Sequence, residues 1–394
     1  MTATPSFGPL LEALDAAPPF ALPDVVLAEL SHTVGASSCL VLLADYESKS
    51  LEPVPSASSP PGMSGQSVDG SLAGRCYREQ RARTEQGGRR VFVPMTVRGE
   101  RIGVLDVHFP TEVDGPTQDH LAQLGVVLAH VVNGARRYTD HFERIRRRRQ
   151  LSLAAEIQWE LLPVLAFSHA AFCVAGHLEP AYDIGGDTFD YAVEPANLTL
   201  GISDARGHGL RAALLGALAT TALRNSRRRG EGLVKQVTAA HRALLAQFGG
   251  EDFVTIALMT VDLPSGAAAL VNAGHLPPLV IRNGRCQRVR VEPQPPLGMF
   301  AATTYRPQRL SLVPGDRLVL FTDGITEATP EGGATFGEAR LVELLLETRS
   351  TPPVETVRLV SHKVLDHRAG QLNDDATVVV LDWHGQPEGP TAQV

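Results

Sequence analysis

Cysteine and long apolar runs are both scarce in this chain. Four cysteines are scattered among 394 residues, without the CxxC spacing or the histidine partners of a zinc site. We therefore expect reduced, buried thiols and neither a disulfide framework nor a structural zinc. No run of about 20 apolar residues could cross a bilayer, and no signal-peptide pattern opens the sequence. These absences predict a cytoplasmic protein without a membrane span.

Lysine is rare as well. Lys49, Lys235 and Lys363 are the lysines of the chain, and the remaining basic residues are arginine. The formal net charge is -7, so the overall charge gives no reason to expect a nucleic-acid partner. Hydrophobic residues make up 43% and charged residues 20%, a balance that is typical of a globular protein and excludes a disordered chain.

What the second half of the chain does contain is a set of carboxylates beside strand-like apolar runs: Asp187, Asp204, Asp323 and Asp374. Burial of an unpaired charge in a hydrophobic core costs too much free energy for these carboxylates to be core residues. Several carboxylates at one edge of a sheet would repel one another unless cations lay between them. All-oxygen ligation suits Mg²⁺ or Mn²⁺, so the pattern predicts a metal-dependent hydrolase centre.

The length predicts two or three domains. Changes in composition divide the chain into a flexible N-terminus, a small α/β domain, a charged helical linker, a strand-rich domain and a flexible tail, at residues 1–20, 21–134, 135–165, 166–384 and 385–394. The expected fold class is multidomain α+β or α/β.

The first domain has a short series of regular elements. We predict helices at Asp24–Val34 and Pro116–Asn133 and strands at Cys39–Leu43, Val91–Thr96 and Arg101–Phe109, the last two joined by a tight hairpin. This order, with Gly103 to Asp106 on the last strand, resembles a GAF sensor domain. The resemblance implies a pocket for a small molecule or a surface that binds a partner. No residue of the sequence indicates which ligand this would be.

The linker is helical and basic. Arg144 and Arg146–Arg149 separate two apolar groups at helical spacing. Such a run can bind nucleic acid, but a solvated helix face is the favoured interpretation. A two-stranded coiled coil would make the protein a homodimer, although the heptad register breaks near Gln150.

The strand-rich half carries two pairs of predicted helices, Leu210–Asn225 with Leu233–Phe248 and Phe336–Glu347 with Val354–Arg368. They are inserted between groups of strands. This arrangement predicts two stacked sheets with the helices outside, an α-β-β-α sandwich.

The motifs of this half resemble those of bacterial SpoIIE/RsbU-like phosphatases, which belong to the PPM class of metal-dependent serine/threonine phosphatases. The resemblance extends over more than 200 residues and follows the family's order: Ala155–Gln158 with Leu161–Pro163, Glu179–Ala181, Gly185–Asp187 with Asp190, Asp204 with Gly207–Gly209, Asn272–His275, Leu297-Gly298, Gly315-Asp316, Thr322–Gly324 and Asp374–Thr377.

The resemblance implies two Mn²⁺ or Mg²⁺ ions about 3.5–4 Å apart, which make a bridging water nucleophilic toward phosphorus. Asp204 would bridge both ions, and the carbonyl of Ala205 would complete one shell. Asp187 would hold the second ion, while Asp323 and Asp374 would hold the first. Neighbouring groups are expected to be structural or to order turns and loops: Asp190, Asp316, Asp375, His208 and His275.

One departure from the motif of larger PPM phosphatases changes the expected proton donor to the leaving group. Larger PPM phosphatases carry Asp-Gly-His-Gly where this chain has Asp204-Ala205-Arg206-Gly207. The histidine that donates a proton to the leaving group there is missing, so metal-bound water would protonate the leaving alkoxide. Arg206, with His208 as a second candidate, is predicted to contact the phosphate or the substrate protein, since a guanidinium matches phosphate geometry.

The resemblance also implies regulation and a substrate. In this family the helix that corresponds to residues 154–163 sets whether the metal site is assembled, so Gln158, Leu161 and Leu162 are the predicted regulatory contacts. The implied substrate is phosphoserine or phosphothreonine on a STAS-type anti-anti-sigma partner. Two alternatives are a nearly inactive scaffold that acts by binding a partner, and a receptor whose GAF domain carries the function. The four retained aspartates favour the phosphatase.

Overall fold

A computed structural model describes residues 8–57, 62–179, 182, 185–330, 332–368 and 374–386. The chain forms two compact units, residues 1–150 and 151–394. The predicted linker is therefore divided between them. Within the described ranges, no helix is both long enough and apolar enough to span a membrane.

Unit 1 is built on one antiparallel sheet with the strand order β3-β2-β1-β6-β5-β4. Its strands are β1 Ser38–Ala44, β2 Ser50–Pro53, β3 Gln66–Ser67, β4 Arg83–Thr84, β5 Arg90–Val97 and β6 Glu100–His108. Its helices are α1 Gly8–Ala16, α2 Leu22–Val34, α3 Leu72–Glu79, α4 Gly115–Ala135 and α5 His141–Arg146, with a 3₁₀ turn at Pro19–Ala21. Side chains of α1, α2, α4 and α5 share one hydrophobic cluster, while those of α3 belong to another.

The predicted helices and strands of unit 1 are confirmed. The β5–β6 hairpin turns through Arg98 and Gly99, whose φ angles of 48° and 98° are those of a type I′ turn. The GAF assignment stays a prediction.

The N-terminus differs from the expectation of a flexible segment. Residues 1–7 lie outside the described ranges, but α1 follows directly, and Leu10 and Leu14 are buried in the main cluster of unit 1. The composition is rich in Ala and Pro, and the two leucines four residues apart supply the apolar stripe that holds the helix. Residues 387–394 of the expected tail also lie outside the described ranges.

The linker is not one continuous helix. After α4 the chain forms α5, leaves the helical region at Arg147 (φ -87°, ψ 110°) and re-enters a helix in unit 2. This helix of unit 2, Leu153–Leu161, begins after Ser152, whose side chain accepts a hydrogen bond from the amide of Ala155 and so caps the N-terminus. The coiled coil and the homodimer stay predictions.

The interpretation of the arginine run as a solvated helix face is wrong for Arg146. Its side chain is only 14% exposed, and its Nε donates to the carbonyl of Ala44 at 2.9 Å. Arg148 and Arg149, by contrast, are exposed and lie near the carboxylates of Glu52 and Glu47. The Arg146 guanidinium is therefore one attachment of this segment to unit 1.

Unit 2 contains two antiparallel sheets. Their strands are β7 Ala166–His169, β8 Phe172–Glu179, β9 Thr188–Val193, β10 Asn197–Ala205, β11 Val254–Asp262, β12 Ala267–Ala273, β13 Leu279–Arg282, β14 Arg285–Arg288, β15 Gln308–Ser311, β16 Asp316–Phe321 and β17 Ala376–Trp383. The strand orders are β15-β12-β11-β10-β9 and β14-β13-β16-β17-β8-β7. The helices are α6 Leu153–Leu161, α7 Leu210–Arg228, α8 Leu233–Phe248, α9 Asp323–Thr326, α10 Gly337–Glu347 and α11 Pro353–His367.

Three apolar layers hold this unit together. Phe189, Ile202 and Val379 belong to a core between the two sheets. A second core lies between α7, α8 and the five-stranded sheet, and a third between α10, α11 and the six-stranded sheet. The predicted sandwich of two sheets with outer helices is confirmed, and it leaves the strand ends as the place where loops from both sheets meet.

We expect Ile202→Ala to lower the free energy of unfolding of unit 2 by about 2–5 kcal/mol, because it leaves a cavity in the core between the sheets. Urea unfolding followed by tryptophan fluorescence measures the change, since Trp383 lies in the same cluster. Val313→Ala is the matched control, since Val313 is 40% exposed and its loss should change stability by less than about 0.5 kcal/mol. Equal losses from the two variants would contradict this account of the core.

Candidate metal centre

The four predicted aspartates lie at one end of the two sheets. Asp187 directly precedes β9, and Asp204 is the penultimate residue of the neighbouring β10. Asp323 opens α9 just after β16, and Asp374 lies two residues before β17. The antiparallel register pairs Thr188 with Ser203 and Phe321 with Val378, so these strand ends meet. The sheet scaffold thus gathers residues that are far apart in sequence.

Hydrogen bonds join the two sheets at this end. The hydroxyl of Thr322 donates to Asp187 Oδ2 at 2.6 Å and accepts from the amide of Thr377 at 2.9 Å. The amide of Asp187 donates to Asp375 Oδ2 at 3.1 Å. Asp187 is therefore fixed to the six-stranded sheet although it leads into a strand of the other.

The carboxylates influence one another's ionisation. Burial raises the pKa of Asp204 to about 7, with further increases from Asp323, Asp374 and Asp375. Burial, aided by Asp374, likewise raises the pKa of Asp375 to about 7. The pKa of Asp187 is raised well above its usual range by burial, then by Asp375 and Asp204. All five groups therefore share one electrostatic environment.

Several other buried aspartates of this chain have an arginine partner at 2.6–2.8 Å: Asp106 with Arg90, Asp190 with Arg224 and Arg227, and Asp316 with Arg282. Asp45 is an exception, since its carboxylate accepts from the amides of Lys49 and Ser50. Within the described ranges, no salt bridge reaches any of the five clustered aspartates. A cluster of buried carboxylates without arginine partners favours cations from solution.

The chemistry of the donor set fits Mn²⁺ or Mg²⁺. All five side chains offer hard oxygen ligands, and Asp375 Oδ1 is buried without a hydrogen-bond partner among the residues that the structure describes. In the part of the chain that the structure describes, however, no three acidic, imidazole or thiol groups stand close enough to enclose an ion. Ions would therefore have to draw these carboxylates inward. Asp187, Asp204, Asp323 and Asp374 are the residues that would hold them.

A cavity of about 350 Å³ opens beside the cluster and is lined by Asp323, Asp374, Glu327 and Arg368 among others. This volume can admit a phosphorylated side chain. A larger cavity of about 540 Å³ lies between β13, β14 and β15 and is lined by no carboxylate. The chemistry therefore points to the smaller one.

Glycine is required at Gly324. A Cβ there would lie 1.9 Å from the carbonyl oxygen of Asp375, so only glycine allows the first turn of α9 to approach this backbone. The Asp-Gly pair thus places Asp323 against the loop that carries Asp374 and Asp375.

Gln158 of α6 reaches into the cluster. Its Nε2 donates to Asp375 Oδ2 at 2.7 Å and to the carbonyl of Asp187 at 2.6 Å, and its Oε1 is buried without a partner. The carbonyl of Leu161, at the end of the same helix, accepts from Arg224, which also binds Asp190. Leu162 packs at the margin of the core between the sheets. All three predicted regulatory residues thus have contacts in unit 2.

The basic candidates are placed less directly. Arg206 is exposed, donates to the carbonyl of Glu251 at 2.7 Å and lies over the ring of Phe253. His208 is exposed, and its charge lowers the pKa of Asp374, against the larger opposing effect of burial. The amide of Ala205 donates to the carbonyl of Gly186 at 3.2 Å, and its carbonyl as a ligand stays a prediction.

His275 contacts both sheets. Its Nδ1 lies 2.9 Å from the hydroxyl of Thr255, and its Nε2 lies 3.2 Å from the carbonyl of Phe321. Burial lowers its pKa to about 4, so the ring is neutral near pH 7. This is the loop-ordering role that the sequence predicted.

Sequence reasoning missed two contacts of the centre. The motif that contains Thr322 predicts no role for this residue, yet its hydroxyl connects Asp187 with the other sheet. Asp190 was expected at a turn, but it lies within β9 and anchors Arg224 and Arg227 of α7. Two arginines on one helix, three residues apart, were the signal that could have indicated a buried acidic partner.

Comparisons with known proteins agree with this architecture. Residues 194–384 match the family described as stage II sporulation protein E, SpoIIE. The chain is 24% identical to phosphoserine phosphatase RsbU of Bacillus subtilis over 59% of this chain and 69% of RsbU. It is 23% identical to protein IcfG of Synechocystis sp. over 74% of this chain and 50% of IcfG. The chain thus spans about half the length of that relative.

A solved structure shares the fold of unit 2. The SiaA-PP2C domain of Pseudomonas aeruginosa superposes with a TM-score of 0.50 at 21% identity, over 58% of this chain and 94% of that domain. Unit 2 therefore has the fold of the PP2C, or PPM, phosphatases. The match of residues 194–384 to the SpoIIE family model agrees with the resemblance of the motifs. Asp204, Asp323 and Asp374 lie inside the matched range, and Asp187 lies just before it.

We expect Asp204→Asn to stabilise the metal-free protein at pH 8 by about 1–3 kcal/mol, because it removes a buried, repelled charge. The native pKa of about 7 exceeds the unfolded value near 3.8, so the folded state binds more protons between these limits. The contribution of Asp204 to native stability therefore falls as the pH rises from about 4 to 7, and the advantage of the variant should vanish near pH 4.

Urea unfolding in EDTA at several pH values tests this expectation. Added Mn²⁺ should raise the melting temperature of the native chain more than that of the variant, because the ion binds only the folded carboxylates. A variant that is less stable than the native chain in EDTA at pH 8 would show that Asp204 has a structural partner instead.

Gly324→Ala should destabilise unit 2 by about 1–3 kcal/mol and weaken the stabilisation by Mn²⁺, because the new methyl group must push the Asp375 backbone away. Differential scanning calorimetry with and without Mn²⁺ measures both effects. Gly134→Ala in α4 is the control: the added methyl meets nothing there, and a small gain in stability is expected. If Mn²⁺ stabilises Gly324→Ala as much as it stabilises the native chain, this loop does not contribute to the metal centre.

Proposed function

We propose that this protein is a metal-dependent protein serine/threonine phosphatase that releases phosphate from phosphoserine or phosphothreonine. The observation that carries the proposal is the cluster of five aspartates without an arginine or lysine partner in the described ranges. The SpoIIE match and the similarity to RsbU, a phosphoserine phosphatase, support the same chemistry.

The carboxylates would hold two Mn²⁺ or Mg²⁺ ions, which when bound supply the positive charge that makes water nucleophilic at neutral pH. Asp204 is assigned to both ions, Asp187 to one, and Asp323 with Asp374 to the other. The chain's own residues orient these ligands: Thr322 holds Asp187, and Gln158 holds the backbone of Asp187 and the side chain of Asp375. Such supporting contacts typically contribute 10- to 100-fold to metal affinity.

The substrate side of the centre is proposed from charge. Arg206 and His208 are the exposed basic groups on the loop that follows Asp204, and a guanidinium suits a phosphate or an acidic protein surface. Contact between Arg206 and a phosphate would require its release from the carbonyl of Glu251. The proposed partner is a phosphorylated STAS-type anti-anti-sigma protein, as the family resemblance implies.

Regulation is proposed to act through α6. The helix holds the metal centre by Gln158 and is itself held at the Leu161 carbonyl by Arg224. A displacement of α6 would break these bonds together and leave Asp375 Oδ2 with the amide of Asp187 as its remaining donor; the loss of one hydrogen bond to a buried carboxylate costs about 1–3 kcal/mol. Input from a GAF-like unit 1, in a homodimer, could shift the population of the assembled centre by this amount.

Hydrolysis of an aryl phosphate tests the activity. We expect Mn²⁺-dependent release of phosphate by the full chain and a loss of at least about 100-fold in Asp323→Asn, because a ligand of the proposed centre is removed. Asp262→Asn is the matched control: Asp262 ends β11, at the other end of the strand from Thr255, which pairs with Asp204. If both variants keep native activity, or if native activity ignores EDTA, the proposal fails and the scaffold hypothesis takes its place.

Gln158→Ala tests the regulatory contact. We expect the Mn²⁺ concentration for half-maximal activity to rise about tenfold, with a smaller change at saturating Mn²⁺, because the variant loosens the ligands without removing one. Glu160→Ala, an exposed position on the same helix, should leave the metal titration unchanged. Equal Mn²⁺ titrations of the native chain and Gln158→Ala would show that this contact of α6 does not influence metal binding at the centre.

A further inference from the structure

A cleft opens between the two sheets of unit 2 at one edge of the sandwich. At this edge β15 ends the five-stranded sheet, and β14, beside β13, ends the six-stranded sheet. Residues of all three strands line the cleft, which has a volume of about 540 Å³. Pockets of about 300–1,000 Å³ are typical of small-molecule sites. The cleft therefore has the size of a ligand site.

Strand alternation decides which side chains of β13 and β14 face the cleft. Ile281 of β13 and Cys286 of β14 pack on the helix side of their sheet, in the core that contains α10 and α11. Successive side chains of a strand point to opposite faces. Val280, Arg285 and Gln287 therefore point toward the other sheet, and all three line the cleft.

The floor of the cleft is aliphatic. It is formed by Val280, Val289, Leu310 and Leu312, which belong to the core between the sheets or pack against it. Leu312 is buried, whereas the other three are only partly buried. Apolar surface at the margin of this core thus stays in contact with water, and an aliphatic group that enters the cleft would cover it favourably.

Two arginines face each other at one end of the cleft. Arg282 and Arg285 flank the Asn283-Gly284 turn as cross-strand partners, and like charges in this relation repel each other. Arg282 is neutralised, because it donates to both carboxylate oxygens of Asp316, at 2.8 and 2.6 Å, and also to the carbonyl of Ser311 at 2.9 Å. Its contacts join the edges of the two sheets.

Arg285 has no such partner. It is exposed, and among the residues that the structure describes no carboxylate lies within salt-bridge distance of it. A guanidinium binds a carboxylate through two parallel hydrogen bonds. Gln287, the next residue on the same face of β14, is also exposed and offers an amide beside it.

These features select one kind of ligand. The aliphatic floor matches an apolar tail, and the unpaired guanidinium of Arg285 matches an anionic head group. A polyacidic peptide would match Arg285 but would leave the floor uncovered, and a neutral lipid would leave Arg285 without a partner. A molecule that joins a carboxylate to an aliphatic tail satisfies both parts of the cleft.

The cleft is separate from the metal centre. Arg282 contacts Asp316, the first residue of β16, whereas Asp323 follows the end of that strand. The clustered aspartates therefore lie at the opposite end of β16. A ligand in the cleft would not touch them.

We propose that the cleft between β13, β14 and β15 binds a medium-chain aliphatic carboxylate, whose tail covers Val280 and Leu310 and whose carboxylate pairs with Arg285. The internal pair of Arg282 with Asp316 leaves Arg285 as the cation for the ligand. Each methylene group that enters the cleft increases the affinity by about threefold to fourfold, until the cleft is filled. The proposal does not rest on phosphatase activity.

Isothermal titration calorimetry of the full chain tests the site, with EDTA present so that no carboxylate binds through a metal ion. We expect decanoate to bind with a Kd of about 10–100 μM. Octanoate, shorter by two methylene groups, should bind about tenfold more weakly. The neutral analogue 1-decanol should also bind about tenfold more weakly than decanoate, because it lacks the charge that pairs with Arg285.

Arg285→Ala separates the head group from the tail. We expect this variant to bind decanoate about tenfold more weakly than the native chain and to bind 1-decanol equally well, because only the partner of the carboxylate is lost. Arg309→Ala is the matched control. Arg309 is also an exposed arginine, but it alternates with Leu310 on β15 and so faces away from the cleft. Its removal should leave the affinity for decanoate unchanged.

A decanoate that carries a diazirine on its tail locates the site in the native chain, without a variant. After irradiation and digestion, mass spectrometry should find the label within residues 279–289 and 308–312. Labelling concentrated elsewhere, an affinity that does not rise with tail length, or equal decanoate binding by the two variants would each overturn the proposal. Tighter binding of tetraglutamate than of decanoate would overturn it in favour of an acidic protein segment. No readout involves phosphate release, so this proposal and the phosphatase proposal can fail independently.

Discussion

The constraint on which unit 2 depends is mutual repulsion among carboxylates that the fold forces together. Asp187 and Asp375 are almost fully buried, and their pKa values are raised first by that burial. A chain selected only for stability would place arginines or apolar residues at these strand ends. The antiparallel strands can hold these carboxylates close together because packing of the two sheets and the four outer helices stabilises the fold by more than the repulsion destabilises it. Functional sites commonly reduce the stability of a protein in this way.

The supporting contacts connect α6 with the residues of the candidate centre. Gln158 donates two hydrogen bonds, one to the side chain of Asp375 and one to the backbone carbonyl of Asp187. These bonds constrain the positions of both residues relative to α6. Arg224 joins the end of the same helix to Asp190, within the strand that starts beside Asp187. The helix is thus held at two points that both belong to the scaffold of the centre. Its position and the ligand geometry cannot vary independently.

Much of this architecture follows from the sequence because it depends on local patterns. The apolar runs gave the strands, and α8 spans Leu233–Phe248 as predicted. Acidic residues at strand ends indicated the centre, since several carboxylates at one edge of a sheet would repel one another unless cations lay between them. The partner of Gln158 could not be predicted, because Asp375 lies 217 residues away and the contact depends on how loops from two sheets meet. The breaks around α5 and the burial of Arg146 were missed because helical composition and charge do not reveal a cap at Ser152 or an acceptor on a distant strand, the carbonyl of Ala44.

The two units solve the same electrostatic problem in different ways. In unit 1 the buried carboxylates of Glu100 and Glu143 lie beside arginines of the same unit, Arg136 and Arg146. In unit 2 the clustered aspartates have no arginine partner within the described ranges, although Arg224 and Arg227 pair with Asp190. A guanidinium that is part of the chain brings no reactivity, whereas a divalent ion, when bound, would make water nucleophilic. The lack of arginine partners at this end of the sheets therefore favours a catalytic over a purely structural role for the five aspartates.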